Sequence, residues 1–91
     1  AFGSFFSDAD TKPSETWLSE FNTYKNLFLK NPDGNAANSY ATQIYSLCKD
    51  AKSLEDVEKN IVATEILKLK KKTKDEFIQQ LFDMSIERLK K

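Results

Sequence analysis

Trp17, Phe21, Tyr24 and Phe28 follow one another at spacings of four, three and four. That spacing puts all of them on one side of a helix, and Leu18 and Leu29 widen the stripe. The pattern predicts a first helix over 14–30, with Pro13 at its start and Thr11 or Ser14 as its cap. Asn31-Pro32-Asp33-Gly34-Asn35 then interrupts it. Pro presets a turn dihedral, Asp can bond its own backbone and Gly accepts positive φ, so a helix–helix corner is expected there.

A second apolar face, made of Ala37, Tyr40, Ala41, Ile44, Leu47, Cys48 and Ala51, predicts a helix over 36–51. Ser53 opens a third, expected over 54–70. Its hydroxyl can accept from the amide of Asp56, whose carboxylate can reach back as a capping box. Thr73 and Glu76 repeat the same spacing ahead of a fourth helix over 74–90. No Gly or Pro separates these last two, so one unbroken helix is the alternative. Phase argues for the break. At ~100° per residue, Leu54, Val57, Ile61, Val62 and Leu69 centre roughly 150° away from Ile78, Leu81, Phe82 and Leu89. One straight helix would then bury opposite faces at its two ends.

The fold class expected is all-α: a small antiparallel bundle of three to four helices over 14–91, preceded by an irregular aromatic N-terminal arm over 1–13. Trp17, Phe21, Tyr24, Phe28, Ile44, Leu47, Leu81 and Phe82 are its expected core. No internal repeat is found.

Composition sharpens this picture. The chain has 91 residues, 40% hydrophobic and 31% charged, with seven Phe, three Tyr and one Trp. Those aromatics supply the buried area of a globular domain, and the length suffices for one core. Formal net charge is zero, so the general pull toward nucleic acid or anionic lipid that a basic chain exerts is missing. No apolar run is long enough to span a bilayer. Cys48 is the only cysteine, so no internal disulfide can form. A small secreted domain usually needs such staples, which favours a mitochondrial or otherwise cytoplasmic setting. The chain opens on Ala1 rather than Met, as a processed mature form or an excised piece would.

Candidate chemistry is sparse. No histidine is present, which removes Ser–His and Cys–His pairs and every His-containing metal site. Cys48 shares the apolar face of its helix and reads as a buried structural thiol. Asp8-Ala9-Asp10 fails as a calcium loop, because Lys12 and Pro13 occupy the positions that need an acceptor and a Gly. Gly3 and Gly34 are isolated, so no phosphate-binding loop is formed. Glu55/Asp56 and Asp75/Glu76 complement predicted helix starts. No catalytic, metal or cofactor residue is therefore assigned, and no cofactor is expected.

Two features point to binding instead. Phe2, Phe5 and Phe6 are costly to leave in water, about 1.5–3 kcal/mol each where burial is available, so they either fold back on their own bundle or insert into a partner. Lys68, Lys70, Lys71, Lys72 and Lys74 are the densest local charge, a solvated helix end or a docking patch. No aromatic lies among these lysines, which argues against single-stranded RNA. The expected function is a non-enzymatic accessory or structural subunit that binds other protein subunits in a larger assembly, a mitochondrial complex first. No specific nucleic acid is expected, and peripheral membrane contact stays open. The alternative is a free helical carrier that holds an apolar ligand among its aromatic side chains.

Overall fold

A computed structural model describes residues 13–90. They form four helices: α1 (Ser14–Lys30), α2 (Ala37–Lys49), α3 (Asp56–Lys72) and α4 (Glu76–Lys90). No strand occurs among the described residues, and the helices pack as the all-α bundle that the periodicity predicts. The aromatic arm lies outside the described residues, apart from Pro13.

The packing order is α1, α2, α4, α3. Helix α2 lies against both α1 and α4, and α4 lies as extensively against α3. Helix α1 meets α3 only over a short stretch. α3 is therefore an edge helix, supported mainly from one side.

The interior is built of rings. Trp17, Phe28 and Phe82 are fully buried, with Ile44, Ile66, Val62 and Leu69 around them. Trp17 stacks on Phe21 at 5.7 Å between ring centroids, and Phe28 meets Phe82 edge-on at 5.2 Å. The indole N–H of Trp17 donates to the carbonyls of Leu47 at 2.8 Å and Asp50 at 3.1 Å. Those carbonyls belong to the open C-terminal end of α2, so one side chain fills a core position and satisfies a helix terminus. Tyr24, expected in the core, is only half-buried, its ring 6.5 Å from that of Tyr40. The other expected core residues are buried.

The helix ends correct several local expectations. Pro13 itself caps α1, its carbonyl accepting from the amide of Trp17 at 2.9 Å, and Ser14 is the first helical residue. Thr11 lies outside the described residues. Gly34 does not use positive φ, which no described residue adopts. Its role is space: a Cβ there would collide with the side chain of Asn31. Helix α3 begins at Asp56, not Leu54, and its cap is Glu55 rather than Ser53. Glu58 Oε1 accepts from the amide of Glu55 at 2.9 Å, one arm of a capping box set two residues later than expected. The Ser53 hydroxyl is buried without a hydrogen-bond partner.

The chain leaves helical geometry between Lys72 and Glu76. Thr73 does not cap α4. Asp75 does, its Oδ1 accepting from the amides of Phe77 at 2.9 Å and Ile78 at 3.3 Å. A carboxylate there both accepts from the free amides and meets the positive end of the helix dipole.

The face of α3 differs most from expectation. Val62, Ile66, Leu69 and Thr73, at spacings of four, three and four, are buried. Val57 and Ile61, expected inside, are 67% and 58% exposed. At ~100° per residue they lie on the far side of the helix from Ile66. α4 can cover only one side of an edge helix, and the longer of the two stripes takes that place.

Candidate functional site

The outward surface of α3 joins apolar and charged groups in one strip. Val57 and Ile61 lie one turn apart, and Leu67 further along is 43% exposed. Thr64 is exposed between them, its hydroxyl donating to the carbonyl of Asn60 at 3.0 Å. With the hydroxyl folded onto the backbone, that position presents a methyl group. Toward α4 the strip falls into an open cleft of about 500 Å³, floored by Ala63, Leu67 and Ile86 and edged by Asp83 and Lys90.

The five lysines differ in their surroundings. Lys70 is half-buried, and its Nζ lies 2.8 Å from Asp83 Oδ1, tying α3 to α4. Lys68 lies 3.9 Å from Glu65 on its own helix. Lys71 and Lys72 are exposed in the last turn of α3, where cations complement the open carbonyls. Lys74 is exposed beyond the helix, and its backbone amide donates to Asp33 Oδ1 at 3.0 Å. Phe2, Phe5 and Phe6 lie outside the described residues. Phe77, which the sequence did not single out, is 53% exposed in the first turn of α4.

Asp33 organises the corner beneath these lysines. Its Oδ1 also accepts from the Thr73 hydroxyl at 3.1 Å, and that hydroxyl accepts from the amide of Asp75 at 3.2 Å. Gln79 Nε2 closes the corner on the carbonyl of Thr73 at 2.8 Å. The Lys74 amide, then the Thr73 hydroxyl, hold the Asp33 carboxyl below its ordinary value, against a small opposing effect of desolvation. The arrangement positions backbone. It leaves no acid–base pair aimed at a common point.

Cys48 is buried, and burial pushes its thiol up to about 12, opposed by a hydrogen bond with the Ser85 hydroxyl. Burial in apolar surroundings disfavours the thiolate that a nucleophile would need. Among the described residues no three His, Cys, Asp or Glu side chains come together as a metal site requires. A second cleft, of about 160 Å³, opens between α1 and α2 beside Tyr24, Gln43 and Asp50. The indole N–H at its base is already committed to the end of α2. No described helix is long and apolar enough to cross a membrane.

No model of a known protein family matches the chain. No curated protein and no solved structure matches it.

The outward stripe of α3 is the feature the sequence reading missed. Its signal is present in the residue order. Val57 and Ile61 on one side, and Val62, Ile66 and Leu69 on another, span more of the helix than one neighbour can cover.

Proposed function

We propose that this chain is a non-enzymatic helical accessory or structural subunit that binds other proteins within a larger assembly, with a mitochondrial complex as its setting. The observation that carries the reading is the double-faced α3: one apolar face packs into the bundle while Val57, Ile61 and Leu67 face solvent. Apolar side chains grouped on one exposed strip, with charges beside them, are what a protein interface presents before its partner arrives. The exposed lysines after the strip and the aromatic arm add two further surfaces for contact.

The interior favours this reading over a free carrier. The aromatic rings that would enclose an apolar ligand pack on one another instead, at 5.7 Å for Trp17–Phe21 and 5.2 Å for Phe28–Phe82. A ligand entering there would have to part stacked rings and forfeit that contact.

The test is a photo-crosslinking residue placed at Ile61 in cells of the protein's source, with Asn22 on exposed α1 as the control position. The expected result is an adduct from position 61, with a second copy of the chain or with another protein, and none from 22, together with a native mass well above that of two copies of the 10.5 kDa chain. Migration at the mass of one or two copies, with no other protein attached, overturns the reading. Fractionation of the same cells tests the mitochondrial setting.

A further inference from the structure

We propose that the outward face of α3 pairs with the same face of a second copy of this chain, antiparallel, about a two-fold axis near Thr64. The inference rests on the reading of the chain as a protein that works through contacts, and it names what covers α3.

The seam has the spacing of a paired helix. Val57, Asn60, Thr64, Leu67 and Lys71 recur at intervals of three and four, and every one of them is exposed. Ile61 and Lys68 flank the row and are exposed too. Alternation of three and four is the period that keeps one side of a helix against a partner helix over several turns. Five positions so placed on an edge helix make a continuous strip, not scattered surface residues.

Charge selects the partner and its direction. α3 is acidic in its first turn, where Asp56 is exposed, and basic in its last, where Lys71 and Lys72 are exposed; Glu58 and Lys70 are engaged within the chain, by the Glu55 amide and by Asp83. A parallel second copy would set acid on acid and base on base. An antiparallel copy sets the acidic turn of each chain against the basic turn of the other, at both ends of the seam. Thr64 is the middle residue of the 17 in α3, so a two-fold axis there brings Thr64 to Thr64 and opposes the two ends. Opposed helix dipoles favour the same direction. Val57 and Ile61 of one copy then lie under the Leu67 end of the other, where the aliphatic stems of Lys68 and Lys71 cover apolar surface while their ammonium groups stay in water. A chain of zero net charge brings no overall repulsion to its copy. The contact is isologous, so it closes as a dimer.

The test is sedimentation equilibrium on the purified full chain, with circular dichroism confirming unchanged helix content in each variant. The expected result is a reversible monomer–dimer equilibrium. Ile61→Asp, at an exposed position, should raise its Kd on the order of tenfold or more. Lys71→Glu with Lys72→Glu in one variant, and Asp56→Lys in another, should each weaken self-association severalfold, roughly as exposed ion pairs do. Mixing these two variants should recover association, because each basic turn again finds an acidic one without any further change to either chain. The proposal is overturned by a chain that stays monomeric up to ~1 mM. It is equally overturned by a dimer whose Kd is indifferent to all these variants. A monomeric chain that still crosslinks to other proteins from position 61 removes the second copy as occupant and leaves the subunit reading standing.

Discussion

Asp33 and Thr73, forty residues apart, join through a 3.1 Å hydrogen bond in which the threonine hydroxyl donates to the carboxylate. That bond ties the α1–α2 corner to the turn between α3 and α4. The same hydroxyl accepts from the amide of Asp75, so it also sets the backbone from which Asp75 caps α4. Thr73 is buried, and a Thr73→Val substitution keeps its shape while removing both roles. We expect it to cost about 1–3 kcal/mol, since it leaves the Asp75 amide and Asp33 without this partner. Urea denaturation checks this, and an unchanged midpoint would show that the corner holds without the hydroxyl.

The same corner gives stability a pH dependence in acid. Asp33 is held below its ordinary value of 3.8, first by the Lys74 amide and then by the Thr73 hydroxyl. A carboxyl lowered in the folded state contributes stability that is present above its unfolded value and is lost as pH falls through the folded one. The difference in urea midpoint between the native chain and Asp33→Asn should therefore be constant above 3.8 and shrink below it. A difference that persists unchanged into stronger acid would show that Asp33 acts through shape alone.

Cys48 behaves in the opposite sense. Burial raises its thiol from 9.0 to about 12, so the folded state keeps the proton that the unfolded state loses. Stability from this group is complete below 9.0 and declines as pH climbs toward the folded value. In native buffer a disulfide-exchange reagent should label Cys48 only as fast as the bundle opens, and urea should accelerate labelling in step with unfolding. Rapid labelling without denaturant would contradict the packing of α2 on α4.

The fold was legible where a helix carries a single apolar stripe. Trp17, Phe21 and Phe28 on α1, and Ile78, Leu81 and Phe82 on α4, have a single face each, and helical period alone places them inside. The Asn31–Asn35 corner was legible from its turn residues, though not the reason for Gly34, which depends on where the Asn31 side chain lies. Caps were misplaced by two residues at both Ser53 and Thr73. In each case a carboxylate two positions on, Glu55 or Asp75, competes for the same helix start, and residue order alone does not decide between them. Nor did it place Thr73 on Asp33, because a bond across forty residues exists only once the helices are packed. The outward face of α3 was the least legible, because sequence shows that α3 has too many apolar positions for one face but not which set α4 covers. Within the lysine run, residue order did not show that Lys70 is half-buried against Asp83, a partner on another helix.

The orientation of α3 can be tested with one residue type on one helix. Ile61 is 58% exposed, whereas Ile66, five positions later, is fully buried against the core. Five residues turn a helix by roughly 140°, enough to carry a side chain from the solvent face to the bundle. Ile66→Ala should cost about 2–5 kcal/mol through lost burial and the cavity it leaves. Ile61→Ala should stay within about 0.5 kcal/mol, as surface substitutions do. Both values are to be read by urea denaturation at a chain concentration low enough to keep the protein monomeric, so that partner contacts do not enter. Equal losses at the two positions would mean that α3 is rotated or covered on both sides within the monomer, and the outward stripe would no longer be available to any partner. A loss at Ile66 alone leaves Ile61 as apolar surface that folding does not need.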